Sequence, residues 1–215
     1  MSEASFTKGL YLVATPIGNL SDISTRAADV LTNADVIACE DTRNTKKLLA
    51  LLGITGKSLT PYHEHNADRA RPRILERLRN GEMIALVSDA GTPLVSDPGY
   101  RLVQDCIEQN IYVTAIPGAS AVLTALQLSG LPCHRFLFEG FLPPKTVARK
   151  KELAVLADIP ATLIFYESPQ RLEETLSDMA AVLGTRQAAV VRELTKKFEQ
   201  TVRGTFDELS DYYRK

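Results

Sequence analysis

Apolar and polar positions along this chain follow two alternating rhythms. Leu10–Ala14, Val36–Cys39, Met83–Val87 and Tyr112–Ile116 are short apolar runs rich in β-branched residues and read as buried strands. Segments with helical spacing lie between them. Thr25–Asn33 carries Ala27, Val30 and Leu31 on one stripe behind Ser24, a residue type that caps helix N-termini, and Arg43–Leu52 runs up to Gly53. Pro72 suits a first helical turn, so a helix is expected over Arg73–Asn80, ending at Gly81. Tyr100–Gln109 and Ala121–Ser129 complete the series. Strand and helix in alternation predict an α/β fold with a mostly parallel sheet and helices on both faces.

After Gly130-Leu131-Pro132 the rhythm restarts, which sets a boundary between an N-terminal α/β domain, residues 1–131, and a C-terminal α/β domain, residues 132–215. Arg135–Glu139, Thr162–Tyr166, Ala188–Arg192 and Phe198–Val202 read as strands of the second domain. Leu172–Leu183, ending at Gly184, and Phe206–Arg214 read as its helices. Ser168 fits an N-cap, with Pro169 at the first helical position. No long linker separates the halves, so the two domains are expected to pack directly and to hold a ligand in the cleft between them.

Composition narrows the class only slightly. A chain of 215 residues, 45% hydrophobic and 24% charged, has the make-up of a folded protein and suits one large domain or two small ones. The net charge of −1 gives no global attraction for nucleic acid, so a polyanion needs a local basic patch. Cys39, Cys106 and Cys133 are too few and too scattered for a disulfide framework or a CxxC metal site, and are expected as reduced core residues. Met1–Ser5 lacks a basic leader, and no run approaches the ~18 apolar residues of a membrane span, so a cytoplasmic protein is expected.

Polar, Gly- and Pro-containing segments follow the first-half strands, where an open parallel sheet places its ligand crevice. They are Thr15-Pro16-Ile17-Gly18-Asn19, Cys39-Glu40-Asp41-Thr42-Arg43, Ser88-Asp89-Ala90-Gly91-Thr92-Pro93 and Pro117-Gly118-Ala119-Ser120. Phosphate motifs are missing: there is no G-x-G-x-x-G, and Gly56-Lys57-Ser58 imitates a P-loop but has Leu51 where that motif needs glycine. A cofactor without phosphates fits better.

Taken together, Leu12–Leu20, Glu40-Asp41-Thr42-Arg43, Ser88–Pro93 and Phe165-Tyr166-Glu167-Ser168 resemble the tetrapyrrole methylase superfamily, and within it the methyltransferases of small-subunit ribosomal RNA. The likeness runs from about Gly9 to Phe198. It implies two α/β domains, S-adenosylmethionine in the cleft, usually a homodimer, and 2′-O-methylation of a cytidine ribose in the decoding region of 16S rRNA or of the assembled small subunit. Carried over by position, the cofactor contacts would be Pro16, Asp89, Ala90, Gly91, Thr92, Pro93, Val95, Ser120 and Ala121, with Leu142, Ala161 and Tyr166 from the second domain. Relatives usually continue beyond the position of Lys215 with another strand and a basic tail. A chain lacking them is expected to leave a sheet edge bare.

The substrate side is less defined. Glu40, Asp41 and Arg43 could touch substrate, but Asp41 or Thr42 could equally cap the following helix. Glu40, Asp41, His63 and His65 are the available proton acceptors for a ribose hydroxyl. His63-Glu64-His65-Asn66 could hold a metal, form a polar loop or handle substrate. The third histidine, His134, is distant in sequence and no cysteine adjoins the pair, so no metal is expected. Arg69, Arg73 and Arg77 share a helical face, and Lys145 and Arg149 belong to a second basic segment. Both could follow phosphates or be solvated surface. Glu193–Lys197 matches a family run but also reads as a surface turn. Two alternatives remain: an enzyme of this fold acting on a tetrapyrrole or protein side chain, and a non-catalytic sensor of S-adenosylmethionine or a nucleotide. Neither needs the basic segments.

Overall fold

The computed structural model describes residues 6–214. Met1–Ser5, read above as free of a leader, and Lys215 lie outside the described residues. The chain packs as two compact units that meet in sequence at Ser120 and Ala121.

Unit one contains β1 (Gly9–Val13), α1 (Thr25–Asn33), β2 (Val36–Cys39), α2 (Thr42–Leu51), β3 (Ser58–Pro61), α3 (Ala67–Arg79), β4 (Met83–Val87), α4 (Tyr100–Glu108) and β5 (Val113–Ile116). Its sheet has the order β3-β2-β4-β1-β5, and every pair is parallel. Side chains alternate across the sheet. Tyr11, Val13, Ile37, Cys39, Met83, Ala85 and Val87 pack under α1 and α2, whereas Leu10, Val36, Ala38, Ile84 and Leu86 pack under α3 and α4. Burial on both faces explains why β4 reads as one unbroken apolar run.

Ser24 caps α1, its Oγ accepting from the Ala27 N–H at 3.0 Å, and Asp41 caps α2. Two elements depart from the sequence reading. β3, Ser-Leu-Thr-Pro, carries no strand signal; it forms as a sheet edge, with Pro61 at its end. The third helix starts at Ala67, so Pro72 lies inside it and is exposed. Asn66 closes the preceding turn from both sides: its Oδ1 accepts from the His63 N–H at 2.9 Å, and its own N–H donates to the His63 carbonyl at 3.0 Å.

Unit two contains α5 (Ala121–Ser129), β6 (Phe136–Phe141), α6 (Thr146–Leu156), β7 (Thr162–Tyr166), α7 (Leu172–Leu183), β8 (Gln187–Arg192), β9 (Gln200–Thr205) and α8 (Phe206–Tyr213). Packing places the division one helix earlier than the sequence boundary after Leu131. The Arg203 guanidinium, on β9, donates to the Leu128 and Ser129 carbonyls and so ties the end of α5 into this unit. β6 and β7 form a parallel pair and β8 and β9 an antiparallel pair. Leu153, Leu176, Met179, Phe206 and Leu209 form the core beneath them. Among the described residues β7 and β8 each have one strand neighbour, and a cavity of about 730 Å³ is lined by Thr162–Phe165 on one side and Gln187–Arg192 on the other.

Ser168 does not cap α7. Its carbonyl accepts from the Arg171 N–H at 3.1 Å in a turn that precedes the helix, and its N–H donates to Glu167 Oε1 at 2.7 Å. α6 carries no strong apolar stripe, so the sequence pattern does not announce it. Cys39 and Cys106 are buried, but Cys133 is exposed, against the expectation of three core thiols. Among the described residues no helix is long and apolar enough to cross a membrane.

A candidate active site at the carboxyl edge of the parallel sheet

Parallel strands end on one side, so the segments after β1, β2, β4 and β5 leave unit one's sheet along a single edge. Hydrogen bonds brace them into one rim. Thr15 and Gly91 exchange backbone N–H donors at 2.9 and 3.0 Å, joining the loops after β1 and β4. Thr92 Oγ1 donates to the Ala119 carbonyl at 3.1 Å, adding the loop after β5. Asp89 adds the β2 loop: Oδ1 accepts from the Asp41 N–H at 3.0 Å and Oδ2 from Asn44 Nδ2 at 2.9 Å.

Gly91 is what lets these loops meet. Its φ is +83°, and a Cβ there would stand 3.2 Å from Ile17 Cγ2 and 3.7 Å from the Ala119 carbonyl. Gly118 is equally confined, since a Cβ would lie 2.9 Å from that of Ala14. Backbone groups and short side chains therefore face the rim, a cradle that suits close approach of a ligand.

Pro16, Asp89, Ala90, Gly91, Thr92, Pro93, Val95 and Ser120 all belong to the rim segments or to the turn that continues from them. Ala121 opens α5 in unit two. Leu142 also lies in unit two, its side chain in that unit's core, and its carbonyl accepts from Arg171 Nη2 at 2.9 Å. Tyr166 stacks edge-on to Phe138 at 4.9 Å between ring centroids, and the Ala161 carbonyl accepts from Arg186 Nη2 at 2.7 Å.

The acids divide by surroundings. Asp41 is the α2 cap, accepting the Arg43 N–H at 2.8 Å, and the Arg43 guanidinium closes on it at 2.6 and 3.1 Å. Hydrogen bonds from Arg43 hold its carboxyl down to about 2, so it is a weak proton acceptor. Sequence reasoning missed Asp97. This acid is half-buried near Ser88, and burial first, with the charges of Glu40 and Asp89 adding, pushes its carboxyl up to about 6. Asp97 sits in a tight turn in which Leu94 and Ser96, on either side of Val95, have φ values of 73° and 61°. The available signal was a repeat: Ser96-Asp97 echoes Ser88-Asp89.

His63 and His65 follow β3 on the same sheet edge, His63 half-buried and His65 exposed, with ring centroids 6.2 Å apart. Among the described residues no group of three or more His, Cys, Asp or Glu is placed to hold a metal.

The basic segments separate. Arg69, Arg73 and Lys145 are exposed, while Arg77 pairs with Glu82 at 2.7 Å. Arg149, expected on a phosphate-following surface, is instead wholly buried in unit two. Its guanidinium meets Asp178 at 2.6 Å and Glu174 at 2.8 Å, because α6 turns that residue against α7.

The chain and its fold match known proteins. A profile of the Tetrapyrrole (Corrin/Porphyrin) Methylases matches residues 9–210. The chain belongs to this family. Within it, the chain belongs with the proteins called ribosomal RNA small subunit methyltransferase I. It is 56% identical to the one from Mesorhizobium japonicum, covering 95% of this chain and 69% of that one. It is 52% identical to the Bacillus subtilis protein, covering 93% and 68%. Among solved structures, the chain is similar to a diphthine synthase, with a TM-score of 0.69 at 16% identity over 94% of this chain and 83% of that one. A uroporphyrin-III C-methyltransferase from Thermus thermophilus, solved with S-adenosylhomocysteine, gives a TM-score of 0.65 at 19% identity over 95% and 91%.

Proposed function

We propose that this chain is a cytoplasmic S-adenosylmethionine-dependent methyltransferase that acts as a homodimer on the 2′-hydroxyl of a cytidine ribose in the decoding region of 16S rRNA. The cross-braced rim carries this reading. Gly91 lets the loops after β1, β4 and β5 pack closely and Asp89 adds the loop after β2, so the rim offers a ligand backbone groups and short side chains. Glu40, Asp89 and Asp97 surround the rim with negative charge, which suits a cationic sulfonium. When bound, the cofactor supplies an electrophilic methyl group. Pro16, Asp89–Pro93, Val95 and Ser120 are proposed to hold it.

The chain's own contribution to rate is positioning of the ribose oxygen and acceptance of its proton. Asp41 is ill suited to the second task because Arg43 holds its carboxylate. Glu40, Asp97, His63 and His65 remain as acceptors. Arg69, Arg73 and Lys145 are proposed phosphate contacts. Relatives near 50% identity that carry the rRNA name support this substrate over a tetrapyrrole or a protein side chain, because neighbours at 16–19% identity share only the fold.

The test is transfer from labelled S-adenosylmethionine to purified small subunits that lack the modification. Label on a single cytidine ribose is expected; no uptake by these subunits rejects the substrate, and no calorimetric binding of the cofactor rejects the whole reading.

A further inference from the structure

The β8–β9 hairpin ends in a tip, Glu193–Glu199, whose backbone is fixed rather than loose. Glu193 and Thr195 hold φ values of 53° and 63°, rarely adopted by residues other than glycine. Three hydrogen bonds lock the turn. The Lys196 N–H donates to the Glu193 carbonyl at 3.0 Å, the Glu199 N–H to the Lys196 carbonyl at 3.2 Å, and the Thr195 N–H to Glu199 Oε2 at 2.7 Å. What the tip presents is an aromatic ring beside cations: Phe198 is 72% exposed, and Lys197 Nζ lies 5.5 Å from its ring centroid. Lys196 is also exposed, held against Glu193 at 3.2 Å.

Resting on the rRNA reading above, we propose that this tip is a single-stranded RNA finger, with Phe198 stacking an unpaired base and Lys196 and Lys197 holding the flanking phosphates. An exposed ring with one ammonium over one of its faces and a second lysine adjoining in sequence matches a flat, anionic partner. It matches an apolar protein surface poorly, since the Lys197 ammonium would lose water there without gaining a counter-charge. A strained backbone suits the role, because the ring is held ready and little freedom remains to be lost on binding.

The experiment measures binding of the full chain to a fluorescein-labelled single-stranded RNA with the decoding-region sequence of the small subunit, by anisotropy across a salt series. Phe198→Ala should weaken binding by about 5- to 100-fold. Phe198→Trp should keep the affinity and Phe198→Leu should not, since stacking rather than apolar bulk is required. Lys197→Ala should lower the slope of log affinity against log salt by about 0.7. Calorimetric affinity for S-adenosylmethionine should stay at the wild-type value in all four. Wild-type RNA affinity in Phe198→Ala overturns the finger. So does normal RNA affinity with a change of oligomeric state, which would assign the ring to a contact between copies. A wild-type chain that methylates small subunits while Phe198→Ala binds RNA normally sinks the finger alone. One that neither binds RNA nor methylates sinks the rRNA reading with it.

Discussion

Replacing Asp97 by Asn should make the protein more stable at neutral pH, although Asp97 sits beside the rim. Its carboxyl is raised from 3.8 to about 6, chiefly by burial and then by the charges of Glu40 and Asp89. A raised acid favours the folded state in its protonated form. That contribution is complete below the unfolded value and is lost as pH climbs through about 6. At about 1.4 kcal/mol per unit the difference would be about 3 kcal/mol for a group cut off from solvent. Asp97 is only half-buried, so screening reduces this to about 1–1.5 kcal/mol. Asn keeps the shape and never ionises. Urea unfolding followed at pH 4.5, 6 and 7.5 should show Asp97→Asn gaining about 1–1.5 kcal/mol at pH 7.5, nearly as much at pH 6, and roughly half of it or less at pH 4.5. In melting temperature the gain at pH 7.5 is about 3–5 °C. An equal gain at all three pH values would mean that packing, not charge, is responsible. A loss at pH 7.5 would show that the carboxylate is stabilised where it sits, and the account of Glu40 and Asp89 as neighbours that repel it would be wrong.

Asp89→Ala removes the brace to the Asp41 N–H and Asn44, so calorimetry should show S-adenosylmethionine affinity falling about tenfold. His65→Ala, by contrast, should slow methyl transfer at near-normal cofactor affinity, and the opposite pattern refutes this division of roles. Gly91→Ala should cost about 1–2 kcal/mol in unfolding experiments, since φ of +83° disfavours a side chain and Ile17 stands 3.2 Å away, and should weaken cofactor binding as well. Arg149→Ala should destabilise unit two by about 2–3 kcal/mol, less than for an unpaired buried charge because Lys150, at 3.3 Å, still faces Asp178, while the RNA salt dependence of surviving folded protein stays unchanged. A milder salt dependence would return Arg149 to the phosphate contacts.

What the sequence disclosed follows from which forces act locally. β1, β2 and β4 are buried on both faces, so their apolar runs are strong signals, and the caps at Ser24 and Asp41 act within their own helices. β3 exists because β2 offers an edge, and a four-residue polar segment cannot announce a neighbour that lies distant in sequence. Arg149 is the same problem in reverse. Lys145, Arg149, Lys150 and Lys151 form a basic cluster on paper, yet burial of one member is decided by Glu174 and Asp178 on another helix.

The site divides along this line too. Loops at the ends of parallel strands must share an edge, so topology alone gathers the residues after β1, β2, β4 and β5, and sequence order is enough to find them. The bonds that turn neighbours into a rim are long-range: Asp89 reaches the start of α2, and Thr92 reaches Ala119. Asp97 lay hidden because Ser96-Asp97-Pro98-Gly99 has the composition of an ordinary turn. What distinguishes it is the backbone of Leu94 and Ser96, which folds the turn back so that its acid reaches Ser88 and feels Glu40. A carboxyl whose proton affinity is set by burial and by two other segments of the chain is a property of the fold, and only the titration of Asp97 in the folded protein can show it.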